Sequence, residues 1–223
     1  MTRLLVLTAV DLEASTLAHH LGLARAGSAW PHFSGGALEI MAVGLGACHL
    51  EPRVRPPAGS VLVVSAGVCG ALAPELASGA LVVPETVLGP DGRRRATATV
   101  AGARRQGTLL TVDRVLEDAA AKARRWLETG ALAADMESAP ILDWAAARGL
   151  PALVVRGVSD PAARGVPADL ARVVHDGRVH PMRAVSAMLA RPRALADAVA
   201  LRTATTAALK TVAAALGTLS RSL

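Results

Sequence analysis

The sequence of 223 residues has almost no aromatic side chains: it holds one phenylalanine, three tryptophans and no tyrosine. Proteins that bind single-stranded nucleic acid stack the bases on aromatic rings, so this scarcity argues against that class. Apolar residues make up 52% of the chain and charged residues 19%, which excludes a disordered protein. We therefore expect a globular protein with an aliphatic core and no nucleic-acid partner.

Cysteine and long apolar runs are also scarce. Cys48 and Cys69 are the only cysteines, and they form no CxxC pair. Two cysteines cannot build the disulfide framework of a small secreted domain, which favours a reducing cytoplasm. Asp197, Arg202 and Lys210 interrupt the alanine-rich tail, so no segment reaches the ~18 apolar residues of a membrane span. We expect a cytoplasmic location.

Several nucleotide- and metal-binding motifs are missing from the sequence. It holds no GxxxxGK[ST] loop for a nucleoside triphosphate and no HExxH pair for zinc. It has no GxSxG nucleophile elbow, because His32 stands where the first glycine before Ser34 belongs. Gly44 and Gly46 begin a dinucleotide fingerprint, but His49 stands where its third glycine belongs. We predict neither a metal nor a cofactor.

The formal net charge of +6 comes from the end of the chain. Residues 171–223 contain eight basic residues and only two acidic ones, Asp176 and Asp197. Such a segment is typical of a surface that meets an acidic partner or an anionic membrane, and equally of a solvated helical face. We divide the chain into a main domain, residues 1–170, and a basic amphipathic helical extension packed on it, residues 171–223.

Hydrophobic patterning predicts an α/β fold. Short apolar runs bounded by glycine, proline or polar residues predict strands at 4–10, 38–43, 61–64, 80–83 and 152–155. Helical patterns lie at 11–20, 117–128 and 136–148, and Gly130 and Gly149 close the last two. Because the strand runs are apolar on both faces, we expect a covered central sheet with the functional site at the carboxyl ends of its strands.

Two segments are predicted as loops. Residues 51–60 contain Pro52, Pro56 and Pro57, and consecutive prolines forbid a regular helix there. Residues 89–95, which include three consecutive arginines, are interpreted as a solvated hairpin turn.

The C-terminal part of the chain is predicted to be helical. We place a helix at 184–190 and a longer one from about 194 to 219. In the longer helix, apolar residues recur at spacings of three and four, which is typical of a packing face; they are Leu209, Val212, Leu216 and Leu219.

Three acidic segments lie where predicted strands end. Glu13 stands in the first turn of the first helix, Asp135 and Glu137 flank Met136 at a strand-to-helix junction, and Asp160 follows the strand that begins near residue 152. Each segment alone also fits ordinary helix capping or a favourable contact with a helix dipole. Their recurrence at three strand ends favours a shared site.

With the glycine-rich segment 65–72, predicted as a turn, these acidic segments resemble the nucleoside phosphorylase superfamily, and most closely its nucleosidase members. The matching motifs are residues 9–13, 67–72, 135–137 and 156–160, and the resemblance spans about residues 4–162. It implies a three-layer α/β/α fold around a central mixed, twisted sheet. It also implies cleavage of a purine N-glycosidic bond.

The resemblance implies a role for each site residue. Asp160, next to Ser159, is the general acid that protonates the departing purine, and Glu137 holds the ribose hydroxyls while Met136 packs against the sugar. Arg156 orients Glu137 or binds an anion. Glu13 positions or deprotonates the attacking water.

Two departures from the family pattern bear on the chemistry. Val115 and Leu116 stand where nucleosidases place an aromatic residue against the base, so aliphatic packing replaces stacking. Val68 stands where phosphorylases use a phosphate-binding serine or threonine. We therefore favour water over phosphate as nucleophile and keep phosphate as a possible co-substrate, since Gly67, with the segment up to residue 70, and Arg156 could cradle an oxyanion.

Residues 111–114, residues 129–138 and the tail from residue 176 through residue 192 into a basic helix resemble the hopanoid-associated phosphorylase branch, thought to remove adenine from adenosylhopane. This implies a lipid-linked nucleoside as substrate and peripheral contact with the inner membrane face. The alternatives are a methylthioadenosine/S-adenosylhomocysteine nucleosidase, a phosphorolytic purine nucleoside phosphorylase, or a non-catalytic membrane-peripheral binding protein. The superfamily resemblance also implies a homodimer or higher homo-oligomer.

Overall fold

The computed structural model describes residues 2–55, 58–165, 174–175, 178–179 and 192–223. Eleven of the described strands form one sheet, and in chain order they are β1 Arg3–Thr8, β2 Ala24–Arg25, β3 His32–Gly35, β4 Leu38–Ala42, β5 Val61–Ala71, β6 Leu81–Val82, β7 Thr86–Leu88, β8 Arg94–Ala96, β9 Thr108–Thr111, β10 Ala133–Asp135 and β11 Ala152–Asp160. A separate antiparallel pair joins β12 Val174–His175 to β13 Arg178–Val179.

The described helices are α1 Asp11–Leu21, α2 Leu50–Arg53, α3 Ala119–Thr129, α4 Ser138–Ala146 and α5 Pro192–Ser222. A short 3-10 turn spans Leu45–Ala47. The alternation of strands and helices confirms the predicted α/β fold with a central mixed sheet.

The long strand β5 organises the sheet. It runs parallel to β1 and to β11, and antiparallel to β10, which pairs with its last two residues. The strand order is β2-β3-β4-β1-β5-β10-β9-β7-β8, and β11 pairs with β5 and β6 away from this path. The ends of β1, β10 and β11 therefore all lie along the second half of β5, where the three acidic segments follow.

Both faces of the central strands are buried, as their uninterrupted apolar runs predicted. In β1, Leu4 and Val6 pack in one cluster with α1 and α5, whereas Leu5 and Leu7 pack in another with α4. This gives helices on both sides of the sheet, the arrangement that the resemblance implied.

The apolar stripe of α5 belongs to the core. Leu209, Val212, Leu216 and Leu219 are buried together with β1, β4 and β5. The predicted packing face is therefore confirmed, and α5 contributes side chains to the same core as β1, β4 and β5. No described helix has the length and apolarity needed to cross a bilayer.

The predicted elements are found with shifted ends, and some strands were missed. All five predicted strands are present, and β5 and β11 extend well beyond their apolar runs, to residues 71 and 160. The missed strands have only two to four residues each; they are β2, β3, β7, β8, β9, β12 and β13, whereas β10 was expected only as the strand end before the helix that follows Asp135. The predicted helix at 184–190 lies outside the described residues.

The prediction of a loop throughout residues 51–60 was wrong at its start. The helix α2 includes Glu51, Pro52 and Arg53. Pro52 lies in the first turn of the helix, where the missing N–H has no intrahelical partner to lose. The prediction of a hairpin at residues 89–95 is confirmed, since β7 and β8 pair antiparallel across it.

Arg95 in that hairpin is less solvated than predicted. Its guanidinium donates to both carboxylate oxygens of Asp143 at 2.7 Å and to Asp91 at 2.8 and 3.0 Å. The hydrogen bonds from Arg95 to Asp91 lower the pKa of Asp91 to about 2. The arginine therefore ties the hairpin to α4.

Candidate active site

The three acidic segments surround one cavity of about 390 Å³. Glu13 comes from α1, Asp135 and Glu137 from the junction between β10 and α4, and Asp160 from the end of β11. The remaining walls are mostly apolar and include Val10, Leu45, Val68, Leu72, Val112, Val115, Leu116 and Met136. The structure therefore brings together residues from strand ends that are far apart in the sequence.

Glu13 is held in place by three backbone N–H groups. Its Oε2 accepts from Ala9 at 3.0 Å and from Val10 at 3.2 Å, and its Oε1 accepts from Val68 at 2.8 Å. Burial raises the pKa of Glu13, while Arg156 and the three N–H groups act against that rise. The carboxyl is thus fixed in orientation, and its raised pKa makes it a stronger base than an exposed glutamate, which suits a group that takes a proton from water.

Arg156 is fully buried below the cavity and does not line it. Its Nη2 lies 2.7 Å from Asp135 and 3.8 Å from Glu137, and it donates to Ser65 Oγ at 2.8 Å. Burial lowers the pKa of Arg156, but Asp135, Glu137 and Glu13 raise it by more. The arginine therefore contacts carboxylates that line the cavity and is not itself part of the lining.

Asp135 connects the arginine to the start of α4. Its Oδ2 accepts from the backbone N–H of Ser138 at 3.1 Å and from its hydroxyl at 2.5 Å, and its Oδ1 accepts from Thr111 at 2.8 Å. Asp135 thus accepts hydrogen bonds at the start of α4, as the capping interpretation predicted, and it also lines the cavity. The contacts fix the short segment that carries Met136 and Glu137.

Glu137 has one fixed oxygen and one that faces Arg156. Its Oε1 accepts from the backbone N–H of Gly46 at 3.1 Å. Burial, together with the nearby Asp135 and Glu13, raises the pKa of Glu137 to about 7, although Arg156 opposes the shift. Next to it, Met136 is half-buried and lines the cavity.

We expect Glu137→Gln to stabilise the fold above neutral pH. The folded pKa of Glu137 is about 7, against an ordinary value of 4.5, so the stability linked to this group is complete below pH 4.5 and is lost as the pH rises through 7. Unfolding by urea at pH 4.5 and at pH 8 measures the effect. The difference in free energy of unfolding between the variant and the wild type should be about 1–3 kcal/mol more favourable to the variant at pH 8 than at pH 4.5.

The matched control for this variant is Glu75→Gln, which changes an exposed glutamate. In this control the change in the free energy of unfolding between pH 4.5 and pH 8 should equal that of the wild type. A wild-type profile that Glu137→Gln does not alter would contradict the assigned shift.

Asp160 is surrounded by donors at the other end of the cavity. Its Oδ1 accepts from the Ser159 hydroxyl at 2.6 Å, and its Oδ2 contacts the ammonium of Lys122. Ser159 also donates to the backbone carbonyl of Cys69 at 3.2 Å. The carboxyl is thus buried, as expected, but a cation that the sequence gave no reason to place there stands beside it.

The prediction that segment 65–72 forms a turn was wrong. Residues 65–71 continue β5, paired with β11 on one side and with β10 at the end. Val68 donates its N–H to Glu13, so this N–H cannot cradle an oxyanion. Of the other parts of the predicted anion cradle, Gly67 and Arg156 lie outside the cavity lining, whereas Cys69 and Gly70 belong to it.

Gly67 has a different function, because two charged side chains approach its α-carbon. A β-carbon there would lie 2.7 Å from Arg156 Nη1 and within contact distance of Glu13, and the φ angle of +148° is unfavourable for other residues. We expect Gly67→Ala to lower the free energy of unfolding by about 1–3 kcal/mol. Thermal unfolding checks this, with Gly27→Ala, which meets no neighbour within 4 Å, as control.

Sequence reasoning missed several residues of the cavity. Lys122 lies in the middle of a helix, and Thr205 reaches the cavity from α5. Neither belongs to a local motif, so only the three-dimensional contacts reveal them. Among the described residues, no group of three or more His, Cys, Asp or Glu side chains could hold a metal ion.

Part of the chain is similar to known proteins. Residues 102–200 match the family model of the phosphorylase superfamily. A futalosine hydrolase from Streptomyces coelicolor is 39% identical over 127 residues, in an alignment that covers 45% of this chain and 54% of the relative. The match thus spans about half the length of that curated relative.

Solved structures show the same fold at low sequence identity. Futalosine hydrolase of Helicobacter pylori superposes with a TM-score of 0.72 at 17% identity, covering 100% of this chain and 98% of that one. The 5'-methylthioadenosine/S-adenosylhomocysteine nucleosidase from Neisseria meningitidis gives 0.71 at 17% identity, with 100% and 99% covered. Fold and matched segment, together with the motifs at the strand ends, fit the nucleoside phosphorylase and nucleosidase superfamily.

Proposed function

We propose that this protein hydrolyses the N-glycosidic bond of a 5′-substituted purine nucleoside and releases the purine, adenine in the first instance. One observation carries the proposal: acidic side chains from three different strand ends line a single, mostly apolar cavity. An apolar cavity fits a purine ring, and the carboxyl groups in its walls supply the acid and the base that glycosidic cleavage requires.

Each acidic residue has a place in the reaction. Asp160 donates a proton to the purine as the bond to the ribose breaks and the electron pair moves to the base. Glu137 accepts hydrogen bonds from the ribose hydroxyls and stabilises the positive charge that develops on the sugar. Glu13, held by its three N–H donors, takes a proton from the water that attacks the sugar carbon.

The charges around the cavity favour water over phosphate. The lining contains four carboxyl groups, and Lys122 is the one cation that the described lining includes, already paired with Asp160. A phosphate dianion near these carboxylates meets electrostatic repulsion, whereas a water molecule does not. Phosphate as co-substrate is the second candidate, and the same assay tests it.

For the 5′-substituent, the resemblance of the tail makes adenosylhopane the first candidate. The apolar walls of the cavity support a substrate that carries a large apolar group. Methylthioadenosine and S-adenosylhomocysteine remain alternatives, and the 39% identity to a futalosine hydrolase adds futalosine. We propose that the enzyme works in the cytoplasm as a homodimer or larger homo-oligomer.

The deciding experiment measures purine release by chromatography from adenosylhopane, methylthioadenosine, S-adenosylhomocysteine and futalosine, each with and without phosphate. Preference for one substrate identifies the 5′-group, and a free sugar product instead of a sugar phosphate establishes hydrolysis. If none of the four yields a free base, the proposed enzyme is wrong.

Peripheral membrane contact is a separate part of the proposal. Because the apolar stripe of α5 is buried in the core, only its outer face is available, where Arg202, Lys210 and Arg221 are exposed. We expect binding to anionic vesicles that disappears as salt increases. Co-sedimentation with anionic and with neutral vesicles tests this contact, and equal sedimentation with both would contradict it.

A further inference from the structure

The helix α3 buries a charge where an apolar residue is normal. Lys122 is the one buried side chain of this helix and is 2% exposed, whereas Leu127 on the same helix is 78% exposed. An amphipathic helix usually turns its apolar residues inward and its lysines outward. The reversed arrangement calls for a reason beyond packing.

The ammonium group of Lys122 donates all three of its hydrogen bonds to Asp160 and to nearby backbone carbonyls. It contacts Oδ2 of Asp160, and it donates to the backbone carbonyl of Pro161 at 3.1 Å and of Arg164 at 2.7 Å. Three protons therefore meet three acceptors. With the Ser159 hydroxyl on Oδ1, both oxygens of the carboxyl are held by hydrogen bonds from residues of the cavity wall.

Stability alone does not account for this pair. Removing two charges from water costs several kcal/mol, and replacement of a buried ion pair by apolar residues of similar volume is often neutral or stabilising. An apolar replacement of the pair would share the cavity wall with other apolar side chains, among them Leu72, Val115 and Leu116. The pair therefore has a functional explanation, because it stands at the wall of the cavity and contains the carboxyl that we assign as the acid.

We propose that Lys122 is the positioning residue of Asp160: it fixes the direction of the carboxyl and supplies the proton that this carboxyl passes to the departing purine. This inference rests on the proposed function. Because Lys122 and Asp160 form an ion pair, the proton that the purine gains comes from the Lys122 ammonium and reaches the purine through Oδ2 of Asp160. The purine also takes the electron pair of the broken bond, water adds to the sugar and gives a proton to Glu13, and the neutral amine of Lys122 afterwards takes up a proton from solvent.

The test compares two kinds of leaving group. A purine needs a proton to leave, whereas 4-nitrophenolate leaves without one, so a 4-nitrophenyl riboside reports on the rest of the site. The two assays are run on Lys122→Met and on Lys122→Gln, which keeps hydrogen-bond donors but not the charge. Lys210→Met is the control, because Lys210 is exposed and is the other lysine of the chain.

We expect both Lys122 variants to lose about 10–100-fold in kcat for the purine nucleoside, with KM within about threefold of the wild type. Their cleavage of the 4-nitrophenyl riboside should stay within about threefold, and Lys210→Met should match the wild type in both assays. An equal fall for both leaving groups in both variants overturns the proposal in favour of a structural role, as does no fall at all. A wild type that cleaves neither substrate refutes the proposed function itself.

Discussion

Asp160→Asn is expected to reduce kcat for purine release by about 10²- to 10⁴-fold, because an amide cannot donate an acidic proton to the departing base. A loss of stability accompanies this change. The buried ammonium of Lys122 loses its anionic partner, and breaking a buried ion pair by removing one partner costs about 3–5 kcal/mol. The amide oxygen can still accept a hydrogen bond, so we expect the lower end of that range.

The double variant Asp160→Asn with Lys122→Met separates the two effects. It removes both charges together, so the free energy of unfolding should return close to the wild-type value while kcat stays low. Steady-state kinetics and urea unfolding of the single and double variants provide both readouts. Turnover within tenfold of the wild type in Asp160→Asn would contradict the acid role and favour a non-catalytic binding protein.

From the sequence alone, such a loss of stability could not be expected. Asp160 follows a strand and precedes Pro161, so its position at the cavity could be predicted from local patterning. Lys122 lies 38 residues earlier in the chain, in a helix whose polar residues are mostly solvated. The contact depends on how α3 packs against the end of β11, and no local signal encodes that packing.

For the glycine-rich segment 65–72, the prediction was wrong about the local conformation and not about a long-range contact. Gly67 and Gly70 were read as turn residues because glycine most often serves turns. In the structure they lie inside β5, where the charged groups of Glu13, Arg156 and Asp160 approach the backbone too closely for a side chain. The family motif thus marked the right place, while the interpretation of its local conformation was wrong.

The acidic residues themselves could be placed because strand ends carry a clear signal. Glu13 comes three residues after the apolar run 4–10, and Asp160 comes five residues after the run 152–155. The strand before Asp135 gives a weaker signal, because β10 is only three residues long and lies in an alanine-rich segment. Its pairing with Arg156 is a long-range contact that the sequence does not reveal.

Arg156→Met is expected to produce the largest loss of stability, more than about 3–5 kcal/mol, because one buried guanidinium serves several buried carboxyl groups at once. Its Nη2 contacts Asp135 and Glu137, and its charge also opposes the rise in the pKa of Glu13. Methionine fills much of the same volume without charge, so the effect measured is chiefly electrostatic. Arg124→Met, at an exposed position of α3, is the matched control.

The loss in Arg156→Met should depend on pH in a defined direction. Arg156 lowers the pKa of both Glu13 and Glu137, so in the variant these two pKa values rise further above the ordinary value of 4.5. A group with a raised folded pKa contributes stability that is complete below the unfolded pKa and is lost as the pH rises through the folded pKa. Urea unfolding at pH 4.5 and at pH 8 should therefore show the smaller deficit at pH 4.5. A deficit of equal size at both values would mean that the arginine stabilises the fold by its volume and hydrogen bonds, and that its charge does not control the acidic cluster.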